Sequence, residues 1–135
     1  MDRYLDTARE GPKFLRQPEV ARLVVGALQQ GVERGYYDLR AYVVMSNHVH
    51  VLLRPIQAAS RLLQWLKGGT AREANQVLGR TGQPFWQRES YDHWVRDEVE
   101  LDRIVSYIEN NPVQAGLVAE PCQYRWSSAW QDGGL

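Results

Sequence analysis

Residues 37–55 read YDLRAYVVMSNHVHVLLRP, and this stretch decides the fold. Residues 37–45 are rich in strand formers, and residues 49–53 continue that pattern after the turn-forming pair Ser46-Asn47. The stretch therefore predicts a β-hairpin. Because side chains alternate between the two faces of a strand, His48 and His50 point the same way and Val49 points into the opposite layer.

Helical patterns flank this hairpin. Before it, apolar residues recur at helical spacing behind Pro18, which predicts a helix from about 18 to 34. After it, Ser60 is suited to cap a second helix that ends near Leu78. The pair Gly68-Gly69 predicts a kink or break within that helix, since each glycine costs roughly 1 kcal/mol relative to alanine.

A short strand and a last helix complete the pattern. Aromatic and β-branched residues predict a strand over 91–96. Acidic residues at 97–98 predict the start of a helix, which we expect to end at Asn111-Pro112. This order of elements favours an α+β fold with helices packed on an antiparallel sheet, and a chain of 135 residues suits one domain spanning 1–135.

The composition is that of a globular protein, with 44% hydrophobic and 24% charged residues. No apolar run approaches the roughly 20 residues of a membrane span, and the N-terminus has no signal-peptide pattern. We therefore expect no membrane association and a cytoplasmic location. The single cysteine, Cys122, excludes an internal disulfide and a cysteine zinc cluster.

The charge is distributed unevenly along the chain. The formal net charge is zero, which by itself disfavours nucleic-acid binding. Residues 54–96, however, contain seven basic and three acidic side chains, whereas residues 97–120 contain six acidic and one basic. A basic central region is able to present a positive face even in a neutral protein.

Two histidines and a tyrosine suggest chemistry. Two imidazoles on one strand face are able to hold a divalent cation, although paired histidines on a solvent-facing strand often have no such role. Tyr107 lies at the border of the apolar stripe of the last helix, and Asn111 follows one turn later on the same side. A phenol is a weak nucleophile at neutral pH, and a cation that polarises a phosphate compensates for this weakness. The alternative is a half-buried core tyrosine and an asparagine that only ends its helix.

Four motifs occur in the order typical of one family. They are AYVVMSNHVHVLLRP at 41–55, FWQRESYDH at 85–93, YIENNPVQAGLV at 107–118 and WSS at 126–128. On these motifs the sequence resembles the REP-associated tyrosine transposases, an IS200-like branch of the HUH (His-hydrophobic-His) single-strand endonucleases. The resemblance runs from about residue 6 to residue 130 and implies a ferredoxin-like antiparallel sheet with packed helices.

The resemblance implies a transposase that cleaves and rejoins single-stranded or hairpin DNA. His48 and His50 would bind Mg²⁺ or Mn²⁺, with Asn111 as candidate third ligand. Tyr107 would attack the scissile phosphate, release a 3′-hydroxyl and remain joined to the 5′ end as a phosphotyrosine. Strand transfer would reverse this reaction, and because the covalent bond conserves the phosphodiester's energy, no nucleotide cofactor is expected.

Binding of single-stranded DNA needs basic side chains and rings on which bases stack. The candidates are Arg54, Trp65, Lys67, Arg72, Trp86, Arg88, Trp94 and Arg96. For each tryptophan, a core or edge anchor is an equally good interpretation. His93 is a candidate proton donor or extra ligand, or makes a structural hydrogen bond. The sequence leaves open a monomer or a homodimer, with Tyr107 acting in its own subunit or in its partner's.

The N-terminus departs from the family's pattern. Family members usually begin with a strand in the middle of the sheet, and no β-pattern precedes the first helix here. We therefore expect this first strand to be missing, as in an N-terminally truncated chain. A misassigned start, a decaying gene copy or a partner chain that fills the gap would each account for such a defect.

Two other functions stay open at this point. The first is a catalytically inactive transposase remnant that only binds DNA hairpins. The second is a phosphoesterase that uses its histidines directly on nucleotides, although such sites usually contain a further histidine.

Overall fold

The computed structural model describes residues 2–7, 14–86 and 90–132. The strands in these ranges are β1 (Arg3–Thr7), β2 (Tyr37–Val44), β3 (Val49–Pro55) and β4 (Ser90–Trp94). The α-helices in the same ranges are α1 (Pro18–Glu33), α2 (Ala59–Leu78) and α3 (Glu98–Gln114). One-turn 3₁₀ segments lie at Phe14–Arg16 and Pro121–Gln123.

The strands form one antiparallel sheet in the order β2-β3-β1-β4. The predicted hairpin is confirmed. Val44 of β2 lies opposite Val49 of β3, and the N–H of Met45 donates to the carbonyl of His48 at 2.8 Å. The α+β class with helices packed on an antiparallel sheet is confirmed as well. In this sheet β3 is an inner strand, and the two histidines lie at its N-terminal end.

The prediction that the first strand is missing is wrong. Residues Arg3–Thr7 form β1, which lies between β3 and β4 and pairs with both. Tyr4 packs on one face of the sheet and Leu5 on the other. Because the two apolar side chains are adjacent and face opposite layers, they produce no alternation that a sequence pattern would detect; pairing on both edges stabilises the strand instead.

Helices cover both faces of the sheet. On one face α1 and α2 pack over alternate strand residues, including Val49, Val51 and Leu53. On the other face α3 packs over the intervening positions, including Leu52 and Val43. His50 follows the same alternation as Leu52, so its side chain lies on the α3 face.

Helix α2 continues through Gly68-Gly69, so the predicted break there is wrong. Leu62 before the pair and Ala74 after it are buried in the α1–α2 layer. This packing on both sides outweighs the roughly 1 kcal/mol that each glycine costs in a helix. The helix ends at Gly79, which takes a left-handed conformation with φ of 70°.

Helix α3 also runs beyond its predicted end. Pro112 lies inside the helix, is fully buried and is followed by two further helical residues. Proline lacks an N–H, but its carbonyl still accepts, here from the N–H of Leu117 at 3.0 Å. The helix stops only where Gly116 adopts a φ of 77°. Asn111 is therefore a residue of the helix interior and does not end it.

The C-terminal residues close one edge of the sheet. The N–H of Val44 donates to the carbonyl of Trp126 at 2.8 Å, and Ser127 forms a bridge with Val43. Trp126 packs against the α1–α2 core. Across the described ranges, no helix has the length and apolar character needed to cross a bilayer.

Candidate functional site

Three aromatic side chains from β3, its preceding turn and α3 meet on the α3 face of the sheet. The rings of His48 and His50 lie edge to face with their centroids 4.8 Å apart. The ring of Tyr107 lies edge to face with His50, with centroids 5.5 Å apart. The structure therefore brings Tyr107 together with the two histidines, although His50 and Tyr107 are 57 positions apart in the sequence.

His50 is the anchor of this group. Its side chain is completely buried, and its Nδ1 lies 2.7 Å from the hydroxyl oxygen of Tyr4 in a hydrogen bond. The ring of Tyr4 is nearly parallel to the imidazole, at 12° and a centroid distance of 5.9 Å. Since Tyr4 occupies Nδ1, Nε2 is the nitrogen with which His50 would bind a cation.

His48 lies in the turn just before β3 and has a different partner. Its Nδ1 is 2.9 Å from Oδ1 of Asn47. An amide oxygen only accepts hydrogen bonds, so His48 Nδ1 carries the proton and donates it to Asn47. The lone pair of the neutral ring is then on Nε2. Both histidines thus make a hydrogen bond within the protein through Nδ1.

Tyr107 stands at the edge of α3, as its position in the apolar stripe predicted. It is 40% exposed, while the next residue, Ile108, is fully buried in the core beneath α3. A ring that rests on a buried histidine and still reaches solvent is accessible to a large substrate. Asn111 follows one helical turn later and is half-buried.

The donor set limits which cation would fit. Within the ranges 2–7, 14–86 and 90–132, no three or more His, Cys, Asp or Glu residues cluster so as to hold a metal ion. A cation at this place would have two imidazole nitrogens as ligands and would need oxygen ligands from elsewhere, for which Asn111 and a DNA phosphate are the predicted candidates. Imidazole suits transition metals, whereas Mg²⁺ prefers oxygen ligands, so this pair fits Mn²⁺ better than Mg²⁺ unless phosphates contribute.

His93 has a structural partner. Its Nε2 lies 3.0 Å from Oε1 of Glu100, which ties β4 to the first turn of α3. The backbone N–H of Arg96 donates to the same carboxylate at 2.8 Å. Because of this backbone hydrogen bond above all, with His93 and Arg96 adding to it, the pKa of Glu100 lies below its ordinary value. These contacts agree with the structural interpretation of His93.

Three of the predicted DNA-binding residues lie on α2, in the layer opposite the histidines. Trp65 packs edge to face on Tyr36, with the guanidinium of Arg34 above it at 5.8 Å. Trp65, Arg34 and Arg72 line a groove of about 580 Å³ between α1 and α2. Lys67 lies on the same helix, and its carbonyl accepts a hydrogen bond from Trp86.

Trp86 is an anchor of the structure. Its Nε1–H donates to the Thr70 hydroxyl at 2.9 Å and to the Lys67 carbonyl at 3.2 Å. Its ring packs against the α1–α2 core. The bonded Nε1–H and the packing of the ring agree with the core-anchor interpretation for this tryptophan.

The remaining predicted DNA contacts are more exposed. Trp94, at the end of the edge strand β4, is 46% exposed and carries the guanidinium of Arg3 at 4.2 Å from its ring centre. Arg54 is exposed near the end of β3, and Arg96 is exposed with its guanidinium on Glu100 at 3.3 Å. Arg88 lies outside the described residues.

Sequence reasoning missed two residues of this site. Tyr4 and Asn47 hold the ring nitrogens of His50 and His48. Asn47 precedes His48 directly, so its amide was a detectable candidate. Tyr4 is separated from His50 by 46 residues, and only the pairing of β1 with β3 brings the two together.

The comparison with known families agrees with this geometry. The family described as transposase IS200 like matches residues 13–111, which is more than half of the chain. The match includes both histidines and Tyr107. The chain belongs to the IS200-like transposase family.

Individual relatives are more distant. An uncharacterised protein of Haemophilus influenzae is 28% identical, over 53% of this chain and 52% of its own length. The chain thus spans about half the length of this curated relative.

Solved structures share the fold. The structure of a REP-associated tyrosine transposase bound to a REP hairpin matches with a TM-score of 0.73 and 19% identity, over 94% of this chain and 75% of that chain. A candidate transposase from Deinococcus radiodurans matches with a TM-score of 0.55 and 25% identity, over 82% of this chain and 89% of that chain. Both likenesses support an α+β fold of the transposase type.

Proposed function

We propose that this chain is a DNA transposase that cleaves and rejoins single-stranded hairpin DNA through a 5′-phosphotyrosine at Tyr107. The observation that carries the proposal is the contact between Tyr107 and His50 in a chain of the IS200-like family. The bound hairpin in one structural relative suggests the class of DNA.

The exposed edge of Tyr107 suits an attack on a phosphate in line with the leaving oxygen. The phenolic oxygen forms a bond to phosphorus and gives its proton to solvent. The bond to the 3′ oxygen of the preceding nucleotide breaks, and this oxygen takes up a proton from solvent to become a 3′-hydroxyl. The 5′ end of the following strand remains on the tyrosine. A different 3′-hydroxyl then attacks this phosphotyrosine, which restores a phosphodiester and frees Tyr107.

A cation would add charge stabilisation to this chemistry. Nε2 of His48 and Nε2 of His50 would hold Mg²⁺ or Mn²⁺, with Asn111 as the candidate third ligand and no nucleotide cofactor. Such a cation would polarise the phosphate and stabilise the leaving oxygen. The residues of this chain contribute the orientation, since Asn47 and Tyr4 each hold one ring.

A covalent adduct is the test of the proposal. A fluorescent DNA hairpin with single-stranded flanks is incubated with protein and Mn²⁺ or Mg²⁺, and the adduct is measured as a shifted band in a denaturing gel. We expect the wild type to form it and Tyr107→Phe to lose it by at least about 100-fold, because the nucleophile is gone.

Tyr124→Phe is the matched control. Tyr124 is another tyrosine on the α3 side, and its hydroxyl donates to the carbonyl of Val44 at 2.6 Å without contacting a histidine ring. This variant should form the adduct normally. If Tyr107→Phe formed adduct as readily as wild type, the proposed nucleophile would be wrong. Hairpin binding that weakens with salt but ignores Mn²⁺ and Tyr107→Phe, without any adduct, would favour the inactive DNA-binding remnant.

A further inference from the structure

We propose that Tyr4 is a positioning residue that holds the His50 imidazole so that Nε2 is presented to a divalent cation. This inference rests on the proposed function, in which His48 and His50 bind that cation. It assigns a task in the site to β1, the strand that no sequence pattern revealed.

The contact joins the two inner strands of the sheet. Tyr4 is 8% exposed and His50 is completely buried, and their strands are hydrogen-bonded neighbours at the centre of the sheet. The hydroxyl oxygen of Tyr4 and Nδ1 of His50 are 2.7 Å apart, a full-strength hydrogen bond. The near-parallel rings leave the imidazole little freedom to rotate about its own bonds.

The chemistry of a hydroxyl explains why tyrosine suits this position. An imidazole that binds a cation through Nε2 carries its proton on Nδ1, and the Tyr4 oxygen is able to accept it. Before the cation arrives, the same hydroxyl is able to rotate and donate to Nδ1. Tyr4 thus holds the ring in one orientation in both tautomers.

His48 shows the contrast. Its partner, the amide oxygen of Asn47, accepts only, so the turn residue is fixed in the tautomer that binds a cation. His48 is therefore held in its cation-binding tautomer before any cation binds. His50 is held by the Tyr4 hydroxyl, which forms a hydrogen bond with either tautomer. Removal of the Tyr4 hydroxyl leaves a buried imidazole nitrogen without its partner on β1, while the phenyl ring preserves the packing.

Calorimetric titration of Mn²⁺ into DNA-free protein tests the assignment without any measurement of cleavage. We expect Tyr4→Phe to raise the Kd for Mn²⁺ by about tenfold or more, since outer partners of ligating histidines typically contribute factors of 10 to 100. Tyr124→Phe, which also deletes a hydrogen-bonded, part-buried hydroxyl on the α3 side, should stay within about twofold of wild type. Equal Mn²⁺ affinity in wild type and Tyr4→Phe would refute the role of Tyr4 and leave the metal site standing.

A second experiment measures the hydrogen bonding of the His50 ring directly. Long-range ¹H–¹⁵N spectra of the imidazole of His50 in metal-free protein distinguish its tautomers. In either tautomer, wild type and Tyr124→Phe should show the ¹⁵N shift of a hydrogen-bonded Nδ1, and Tyr4→Phe should lose that shift; an unchanged spectrum in Tyr4→Phe would contradict the inference. Absence of Mn²⁺ binding by the wild type would overturn the metal site of the proposed function and the role of Tyr4 with it.

Discussion

The rings of Tyr107 and His50 touch within a single chain, edge to face, with their centroids 5.5 Å apart. His50 is fixed in the centre of the sheet, and Tyr107 is on a helix packed against that sheet through Ile108 and its neighbours. The proposed nucleophile therefore reaches the proposed ligands of its own subunit without help from a second copy.

This arrangement predicts that complementary variants do not rescue each other. Chains carrying Tyr107→Phe are mixed in equal amounts with chains carrying His48→Ala, and the adduct with a labelled hairpin is measured. Because nucleophile and ligands act in the same chain, the mixture should form no more adduct than either variant alone. An adduct that forms only in the mixture would show that Tyr107 acts on a partner's site.

A close approach between α1 and β2 predicts a sharp stability effect at Gly31. A methyl group at this position would overlap the ring of Tyr37, whose hydroxyl donates to the Leu28 carbonyl at 2.6 Å in the core. We expect Gly31→Ala to lower the free energy of unfolding by about 1 to 3 kcal/mol, as overpacking of cores does. Chemical denaturation with an unchanged m-value would measure it.

Gly26→Ala is the control on the same helix. A Cβ at Gly26 meets nothing within 4 Å, so only the helix propensity changes. This variant should be more stable by about 0.5 to 1 kcal/mol. If both alanine variants gained stability, the result would contradict the close packing of Tyr37 against Gly31 of α1.

The local parts of the fold were predictable because they depend on short-range patterns. The hairpin with Val44 opposite Val49 follows from β-formers around a turn, and α1 follows from apolar periodicity behind Pro18. The same strand alternation put His48 and His50 on one face, where the rings are now seen in contact. Their proposed roles as ligands stay a prediction.

The non-local parts were not predictable from these patterns. β1 gains its stability from two neighbouring strands, so its five residues carry little signal of their own. The contact of Tyr4 with His50 depends on that pairing. The predicted end of α3 is wrong because a proline lacks one helical hydrogen bond, and the sequence alone shows only this loss at Pro112. Burial of the proline ring and the hydrogen bonds that follow it stabilise the helix beyond this point.

The carboxylate of Glu100 predicts an acid-dependent loss of stability. The N–H of Arg96 above all holds the pKa of Glu100 below its ordinary value in the folded state. A lowered folded pKa stabilises the fold fully above the ordinary carboxyl pKa, and this contribution is lost as pH falls from there through the lowered pKa of the folded state. Glu100→Gln should therefore melt below wild type at pH 7, and the difference should shrink toward pH 3.

Melting curves at several pH values would measure this difference, with Glu98→Gln as a control for charge in the first turn of α3. A difference between wild type and Glu100→Gln that is constant with pH would contradict the linkage. His93 and Arg96 both face this carboxylate, so the salt concentration is kept fixed across the series.

Trp86 and Trp94 lie in opposite surroundings, so substitutions at these two positions distinguish a contact with DNA from packing in the core. Trp86 donates to Thr70 and Lys67 from within the α1–α2 layer, so Trp86→Phe should cost about 1 to 2 kcal/mol of stability. Trp94 is 46% exposed with the guanidinium of Arg3 over its ring, and we expect a base to stack on the exposed part of this ring. Trp94→Ala should weaken hairpin binding about tenfold, within the range of about 1 to 3 kcal/mol per stacked base.

Fluorescence anisotropy with a labelled hairpin at fixed salt would measure the DNA affinity of Trp86→Phe and Trp94→Ala. Thermal melting would measure the stability of each variant. We expect the folded Trp86→Phe protein to bind the hairpin like wild type, and Trp94→Ala to melt within a few degrees of it. Unchanged affinity in Trp94→Ala would exclude this exposed ring from the DNA interface. In that case the groove between α1 and α2, where Trp65 lies beside Arg34 and Arg72, would be the next surface to test.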